Sequence, residues 1–322
     1  MLALRAEAAR RLGCEVEMLD PETGYLCEIR RGGRKHLLLG GFSPVNNAGA
    51  ARIALDKFHT LLLLGRAGMA VTPAARCLLQ GRFTEEDFSS HEGLAPALRF
   101  AAEHGFPLVT KPNRGGRGRQ VTVVHSPDDL TSAIHRIWEF DYLALIQPVV
   151  PGIDLRLDFL DGEYLFGYVR RPVVLRGDGE SRIAELLARR DPRYRDVPYL
   201  RALSRDPIWR ERSRGLELDA VLARGEVLDL GSPILNLNRL CQGEYLDPLP
   251  AEWQECGRSI GESLGLRHFG IDFKVADYPS APRDAVVLEV NASPSLAQMS
   301  RMGHYEAALA AETKIVKAIL EL

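Results

Sequence analysis

Apolar and polar positions alternate along the first part of the chain in a way that predicts a small α/β lobe. Residues 3–13 have helical spacing and end at a glycine, and residues 15–19 then alternate as a strand. Residues 26–39 form two apolar runs around Arg-Gly-Gly-Arg, which is typical of a hairpin. Asp56 is the expected N-cap of a helix that continues through Leu64.

The middle of the chain has the pattern of short strands separated by turns and helices. A brief apolar strand over residues 107–110 precedes a glycine-rich loop, and a second strand is expected over 120–124. Ser126 is followed by Pro and two Asp residues, which indicates a helix start with its cap. A further apolar strand is expected over residues 143–150.

The remaining pattern predicts a hairpin, a long polar excursion, and a helix–strand–strand–helix ending. The excursion over residues 176–215 is rich in Arg, Asp and Pro, with one helix inside it. The expected elements are the hairpin 155–169 around Asp161-Gly162, the helices 182–190, 250–264 and 304–320, and the strand pair 269–275 and 285–290.

Composition changes this picture little but excludes several classes of function. The 322 residues are 46% hydrophobic and 26% charged, which suits two or three packed lobes. The formal net charge of -2 gives no overall attraction to nucleic acid or to an anionic membrane, so we expect neither as a partner. Five cysteines without a Cys-x-x-Cys pair, no signal-peptide pattern and no membrane-length apolar run favour a cytoplasmic protein.

The first candidate for chemistry is Lys111 with the loop that contains Gly115, Gly116 and Gly118. Glycines let backbone N–H groups approach phosphates closely, and a lysine on the preceding strand adds a compact cation. Only six of the 41 basic residues are lysines. A genome that favours arginine codons explains this bias, but a lysine kept in such a background, such as Lys57 or Lys111, is a candidate for a position that needs a compact ammonium group. The spacing matches neither the P-loop nor the dinucleotide fingerprint, so a plain hairpin turn remains an alternative.

The second candidate is Asp272 with the segment Glu289-Val-Asn291. On a strand, positions i and i+2 face the same side, and Asp272 on a neighbouring strand could join them. Mg²⁺ prefers such oxygen ligands together with phosphate oxygens. Surface acids at strand ends are the alternative, but the flanking residues are apolar, and buried carboxylates need partners.

These residues together resemble the ATP-grasp enzymes over nearly the whole chain. The resemblance implies an N-terminal α/β lobe at residues 1–71, a small antiparallel lid at 72–146, and a larger C-terminal lobe at 147–322. It implies ATP and Mg²⁺ as cofactors, with Mn²⁺ as an alternative ion. The matching positions are Lys57 and Lys111 for the phosphates, Gly115, Gly116 and Gly118 for the phosphate loop, Gln147, Val150 and Asp154 for adenine and ribose, and Asp272, Glu289 and Asn291 for the metal.

Within that superfamily the chain most resembles the ligase part of cyanophycin synthetase, with glutamate ligases and glutathione synthetases behind it. The matching stretches are 151–156, 169–171, 176–186 and 236–237. Residues 238–243 depart from the family pattern because they lack a pair of glycines. In the family that loop lies near the acceptor site.

The resemblance implies amide formation through an acyl phosphate, with release of ADP and phosphate. Arg156 and Arg171 are expected to hold the transferred phosphoryl group or the carboxylate, because a guanidinium matches planar oxyanions; a solvated surface charge is the alternative for each. Amino acids or small peptides are the expected substrates, and a homodimer is in keeping with the family. A ligase that adds amino acids to a protein acceptor and a non-catalytic ATP-binding protein are the two alternatives.

Overall fold

The structure is a computed structural model of the full chain. It describes residues 2–79, 81, 91–116, 118–205, 207–213, 215–231, 237, 241–278 and 281–321. Residues 238–240 therefore lie outside the described residues. They are the first half of the segment 238–243 that departs from the family pattern.

Eleven helices are found in the described part of the chain, besides two short 3-10 turns at Pro192–Arg195 and Pro282–Asp284. The helices are α1 Leu2–Arg11, α2 Ala48–Leu55, α3 Lys57–Arg66, α4 Ala95–His104, α5 Pro127–Trp138, α6 Ile183–Arg190, α7 Val197–Ser204, α8 Pro207–Arg212, α9 Ala251–Leu264, α10 Ala297–Arg301 and α11 Tyr305–Leu320.

The strands of the described residues form four antiparallel sheets. They are β1 Glu15–Met18, β2 Leu26–Arg31, β3 Arg34–Leu39, β4 Ala75–Leu78, β5 Leu108–Pro112, β6 Thr122–Val124, β7 Leu143–Pro148, β8 Ile153–Leu160, β9 Glu163–Pro172, β10 Val174–Arg176, β11 Val227–Asp229, β12 Cys241–Tyr245, β13 His268–Val275 and β14 Val286–Asn291. The sheet orders are β1-β2-β3, β4-β7-β5-β6, β10-β11 and β12-β9-β8-β13-β14.

The five-stranded sheet is apolar on one face and largely polar on the other. Leu155, Leu157, Phe269, Ile271 and Phe273 alternate along β8 and β13 and enter a core covered by α2, α3 and α9. The residues between them are polar and face the opposite side, because successive side chains of a strand point to opposite faces. This alternation separates the structural face of the sheet from the face that carries the candidate site.

The N-terminal helix and sheet share one core with the C-terminal helix. Side chains of α1, of β2 and of α11 pack together, and Phe166 and Tyr168 of β9 join them. A buried ion pair between Arg5 Nε and Glu312 Oε2, 2.7 Å apart, fastens α1 to α11. The two ends of the chain therefore close on each other beside the five-stranded sheet.

The segment predicted to be the lid forms a sheet of its own, with α4 and α5 packed on one face. Ala144 and Ile146 of β7 point into the core beneath these helices. Leu145 and Gln147 alternate with them, and Lys111 pairs with Leu145 across the ladder to β5. Lys111 and Gln147 therefore share the face of this sheet that lies away from its helices.

A further subdomain is inserted between β9 and β12, where the sequence predicted a polar excursion. It packs β10 and β11 with α6, α7 and α8 around its own core, which includes Ile183, Tyr194 and Trp209. The predicted helix 182–190 is present as α6, whereas α7 and α8 were not predicted. The residues between them gave no clear helical period because arginine, proline and aspartate interrupt the apolar spacing.

The predicted lobe boundaries at residues 71 and 146 remain predictions. α2, which was not predicted, and α3 pack on the five-stranded sheet rather than on the N-terminal sheet. β7 crosses the second boundary and ends at Pro148. Within the described part of the chain no helix combines the length and the apolar composition needed to cross a bilayer.

Candidate active site

The candidate site lies on the polar face of β8, β13 and β14. Arg156 is paired in register with Asp272, which in turn lies opposite Glu289 on β14. One step along the ladder, Asp154 is paired with Lys274 and with Arg170. Residues two apart on each strand thus bring charged side chains of four strands onto one surface.

Asp272 is the centre of this surface. Its two carboxylate oxygens accept hydrogen bonds from Arg156 Nη1 at 2.9 Å and from Arg170 Nη2 at 2.7 Å. Burial opposes ionisation of this group, but the guanidiniums of Arg156 and Arg170 outweigh that effect and hold the pKa of Asp272 below its usual value. Asp272 is therefore a carboxylate at neutral pH.

Arg156 is held from two sides. Its Nε donates to Asp158 Oδ1 at 2.6 Å while its Nη1 reaches Asp272, and the side chain is 8% exposed. Burial disfavours the charge, yet the two carboxylates raise the pKa of Arg156 well above its ordinary value. Such a fixed guanidinium is oriented before any ligand arrives, which suits the binding of a planar oxyanion.

Glu289 and Asn291 complete a set of oxygen-bearing groups with Asp272. The amide of Asn291 lies 3.0 Å from Glu289 Oε1 and 3.3 Å from Asp272 Oδ2 through its Nδ2. The third group of this set is an amide. Among the described residues, no three His, Cys, Asp or Glu side chains form a cluster suited to a metal. A rotation of the Asn291 amide by about 180° would exchange its nitrogen and oxygen. Asp272, Glu289 and Asn291 would then each direct an oxygen to a common position, which fits a hard divalent cation.

Two lysines lie next to this set. Lys57, at the start of α3, lies with its Nζ 4.0 Å from Glu289 Oε2 and donates to the carbonyl of Gly115 at 2.9 Å. Lys111 is buried on β5; desolvation lowers its pKa to about 8, although the charge of Glu289 opposes the shift and that of Lys57 adds to it. A lysine in this state is an uncompensated cation that an anionic ligand would stabilise.

The glycine-rich loop joins β5 to β6 and contacts the start of α3. Gly115 and Gly118 have φ values of +96° and +66°, a backbone conformation that favours glycine, while Gly115 and Gly116 are exposed. Asn113 Oδ1 accepts the backbone N–H of Phe58 at 2.9 Å and so binds the loop to the helix N-terminus. The loop therefore lies beside Lys57; residue 117 is outside the described part.

Gln147, Val150 and Asp154 lie along the segment that leads from the lid sheet to the five-stranded sheet. Gln147 is buried, and its Nε2 has no hydrogen-bond partner among the described residues. Val150 is half-buried in the connection between β7 and β8. Asp154 is engaged in a buried ion pair with Lys274 Nζ at 2.6 Å, a partner that the sequence did not suggest.

The structure brings only one of the two predicted arginines, Arg156, to this surface. Arg171 lies outside the site: its side chain is 47% exposed and pairs with Glu244 of the neighbouring strand at 3.2 Å. Its neighbour Arg170 points to the other face of β9 and binds Asp272. Two consecutive arginines on a strand must face opposite sides, and the pairing of β9 with β8 decides which one enters the site.

This pair of arginines provides a matched test. We expect Arg170→Gln to lower kcat by about a hundredfold, because it removes a buried cation from the centre of the charge network. Arg171→Gln is expected to change kcat by less than about threefold, since an exposed ion pair contributes little. Steady-state ADP release by the two variants checks this; similar losses in both would contradict the assignment of Arg170.

Gly270 is a second residue that the sequence did not single out. It lies on β13 opposite Asp158, and a Cβ built there would overlap the Asp158 carboxylate and the Arg156 guanidinium. The absence of a side chain at position 270 therefore makes the room that Arg156 occupies. Arg170, Asp158 and Lys274 were also missed in the sequence analysis. A signal was present for each of the four residues. Gly270 and Lys274 lie two positions from Asp272, Asp158 lies two positions from Arg156, and Arg170 is paired with Asp154 on the neighbouring strand.

We expect Gly270→Ala to lower kcat by at least about tenfold, because the guanidinium of Arg156 must move from its fixed position. The matched control is Gly65→Ala in α3, where a Cβ would meet only Val71 Cγ2 at an ordinary 3.5 Å. That control is expected to keep full activity and to raise the melting temperature slightly, since alanine favours a helix. Unchanged turnover in Gly270→Ala would show that Arg156 does not need this position.

The thiol and imidazole side chains near the site are uncharged at neutral pH. Burial raises the pKa of the Cys241 thiol to about 12. Burial also holds the pKa of His268 well below its usual value and lowers that of His304. Cys241 is therefore a neutral thiol and His268 a neutral imidazole at pH 7, so the cations of the site are its lysines and arginines.

Comparisons with known proteins identify the fold that this geometry belongs to. No family model matches the chain. The bifunctional glutathione synthetase from Pasteurella multocida superposes with a TM-score of 0.60 over 98% of this chain and 44% of that chain, at 19% identity. The D-alanine–D-alanine ligase from Bacillus anthracis superposes with a TM-score of 0.53 over 86% of this chain and 69% of that one, at 18% identity. The fold is therefore the ATP-grasp fold, as the sequence indicated.

Among curated proteins the chain is similar to the cyanophycin synthetase of Crocosphaera subtropica. The two are 26% identical over 257 residues, which cover 76% of this chain. The chain spans 28% of that relative's length.

Proposed function

We propose that this protein is an ATP-dependent ligase that joins a carboxylate to an amine through an acyl phosphate and releases ADP and phosphate. One observation carries the proposal. Lys57 and Lys111 face a surface on which Arg156, Arg170 and Asp272 form a buried, pre-oriented charge network. Lysine and arginine cations beside a set of carboxylates and an amide match what is needed to bind a nucleoside triphosphate and to transfer its phosphoryl group.

ATP would lie between the lid sheet and the five-stranded sheet. Lys57 and Lys111 would hold the α and β phosphates, and the N–H groups of the glycine-rich loop would donate to phosphate oxygens. Gln147 and the chain at Val150 would contact the adenine. In the proposed complex, Asp154, oriented by its ion pair with Lys274, would accept hydrogen bonds from the ribose hydroxyls.

Asp272, Glu289 and Asn291 would hold Mg²⁺, with Mn²⁺ as an alternative. Two carboxylates and an amide within hydrogen-bond distance of one another match the oxygen donors such an ion takes. When bound, the ion would neutralise phosphate charge. Arg156 and Arg170 hold Asp272 in its ionised form, so they keep that ligand ready for the ion.

In the first step, a carboxylate oxygen of the substrate attacks the γ-phosphorus, and the bond to the bridging oxygen of ADP breaks. The guanidiniums of Arg156 and Arg170 would offset the negative charge that accumulates on the transferred group. Arg170 Nε is buried and has no partner among the described residues, so it is a donor left for an oxyanion.

In the second step, the neutral amine attacks the acyl carbon, the bond from that carbon to the phosphate oxygen breaks, and phosphate leaves with the proton that the nitrogen gives up. No protein nucleophile takes part, which agrees with the neutral thiol of Cys241. The lid sheet would exclude water, because the acyl phosphate hydrolyses if water reaches it.

The substrate class proposed first is an amino acid or a small peptide on each side of the new bond. The similar proteins support it, since they include a glutathione synthetase and a D-alanine–D-alanine ligase. A protein acceptor is the second candidate, favoured by the subdomain with its own core between β9 and β12, which would supply more surface than a small acceptor needs.

The proposal is tested by ADP release from Mg²⁺-ATP across a matrix of amino acids and dipeptides, with mass spectrometry of the products. Release that depends on one acid and one amine, yields the condensed mass and is lost in Glu289→Ala supports a small-molecule ligase. Binding of Mg²⁺-ATP without turnover for any pair would instead favour a protein acceptor or a non-catalytic role. Absence of any ATP binding would overturn the proposal.

A further inference from the structure

The inserted subdomain contains a strongly basic stretch, residues 189–214, here called the arginine segment. It has nine arginines, no lysine and four acidic residues, whereas the whole chain has a formal net charge of -2. The segment covers the end of α6, the 3-10 turn Pro192–Arg195, α7 and α8. A local excess of positive charge in a nearly neutral chain produces a local field rather than a global one.

Several of these arginines are exposed to solvent. Among the described residues, none forms a hydrogen bond or an ion pair with the side chains of Arg190, Arg195, Arg201, Arg205 and Arg210. By contrast, Arg189 binds Asp178 and Arg193 binds Asp191. Exposed guanidiniums without a carboxylate partner remain available to a ligand that carries carboxylates.

The arginine segment is fastened to the edge of the candidate active site. The buried side chain of Arg193 donates to the carbonyl of Cys241 at 2.8 Å and also to the carbonyl of Leu237. On the same side, Gln242 Nε2 donates to the carbonyl of Arg190 at 3.1 Å. Cys241 and Gln242 begin β12, the edge strand of the site sheet.

This attachment places the segment one strand away from Arg170. Gly243 of β12 is paired with Arg170, and Gln242 is paired with Arg171. At its attached end the segment is therefore separated from Arg170 by β12 alone, and the usual spacing between neighbouring strands is about 4.8 Å.

We propose that the arginine segment binds an acidic peptide that serves as a substrate of the ligase, an inference that rests on the proposed function and specifies its substrate class. Guanidinium groups match carboxylates in shape and charge. Nucleic acid is the less suitable polyanion because the described aromatic side chains of the segment offer no stacking surface. Tyr194 and Trp209 are buried, and Tyr199 is half-buried against Tyr194.

The test is fluorescence anisotropy with three labelled probes on the full chain: a Glu-Gly repeat peptide, a Gln-Gly repeat peptide of the same length, and a single-stranded oligonucleotide. The test variant is the triple substitution Arg195→Gln, Arg201→Gln and Arg205→Gln. The matched control replaces three exposed arginines elsewhere, Arg31→Gln, Arg66→Gln and Arg136→Gln. Circular dichroism melts check that both triple variants fold.

We expect the Glu-Gly peptide to bind at least about tenfold more tightly than the Gln-Gly peptide, and the test variant to lose roughly tenfold in affinity while the control keeps it. The affinity should also fall as salt is raised from about 0.05 to 0.3 M. Equal affinity for the two peptides, an unchanged test variant, or tighter binding of the oligonucleotide would each overturn the inference.

Failure of this inference and failure of the ligase proposal are distinguishable. Anisotropy reports peptide binding without any turnover, whereas ADP release with small acid and amine pairs reports the reaction without the peptide. If ADP release requires an acid and an amine but the acidic peptide does not bind, the ligase proposal is supported and the proposed acidic-peptide substrate is overturned. If the peptide binds but no ADP forms with it or with any smaller pair in the presence of an amine, the peptide is not a substrate, the small-molecule ligase is overturned, and only the binding site is supported.

Discussion

Replacing Glu289 with glutamine is expected to lower kcat by at least a hundredfold while leaving the fold intact. The change removes one carboxylate from the set formed with Asp272 and Asn291, and metal sites lose much of their affinity when an anionic ligand becomes neutral. The side chain is 24% exposed, and its shape is preserved, so the melting temperature should change little. Turnover and thermal melts measured on the same preparation check both parts.

A matched control for this variant is Glu244→Gln on β12, where the carboxylate is 61% exposed and pairs with Arg171. It changes the net charge equally and lies on the same sheet, but it should keep kcat within about twofold. Titration with Mg²⁺ adds a second readout, because Glu289→Gln should require a higher concentration for half-maximal activity. Full turnover of Glu289→Gln at the wild-type metal requirement would exclude this residue from the metal set.

Replacing Lys111 with methionine is expected to make the ligand-free protein more stable at neutral pH and to abolish most of the stabilisation by ATP. The ammonium is buried, and its pKa is lowered to about 8, so keeping it charged at pH 7 costs folding free energy. A methionine fills the same space without charge, and the gain should be about 2 kcal/mol, or roughly 4 °C in melting temperature. In the wild type, saturating Mg²⁺-ATP should raise the melting temperature clearly; in the variant this shift should fall by more than half.

The pH dependence separates this explanation from a general packing effect. In the unfolded chain a lysine titrates near its usual pKa of about 10.4. Between about pH 8 and pH 10 the unfolded state therefore binds more protons at this residue than the folded state, and wild-type stability rises relative to the variant. The advantage of Lys111→Met should be largest at pH 7 and shrink as the pH approaches 10.

The control is Lys314→Met, an exposed lysine on α11, for which we expect no pH-dependent difference from the wild type. An advantage of Lys111→Met that stays constant from pH 7 to pH 10 would show that the buried charge is not its cause.

Much of the architecture follows from signals within short stretches of the sequence. The predicted cap Asp56 accepts the N–H of His59, and Ser126 accepts that of Asp129, so both helices begin where expected. Hairpins form at Gly32-Gly33 and at Asp161-Gly162, where positive φ values are needed. Such signals are readable because their energetics involve residues only a few positions apart.

Elements without a local signal escaped prediction. α2 begins at Ala48 with Asn47 as its cap, but glycine and alanine obscure its apolar spacing. β12 consists of Cys-Gln-Gly-Glu-Tyr, which has no strand period of its own and forms by pairing with β9. Its existence depends on a strand about seventy residues earlier in the sequence.

Some features of the candidate site could be predicted from the sequence, and others depend on the tertiary structure. The sequence by itself determined the residue types and their spacing: two lysines, a glycine-rich loop, and a carboxylate followed by Glu-x-Asn, which strand periodicity alone places on one face. Tertiary structure decided which of two consecutive arginines serves the site, that Asp154 is paired with Lys274, and that Gly270 makes room for Arg156. These outcomes depend on the register between strands far apart in the chain, and register is fixed only when all the strands pack onto their common core.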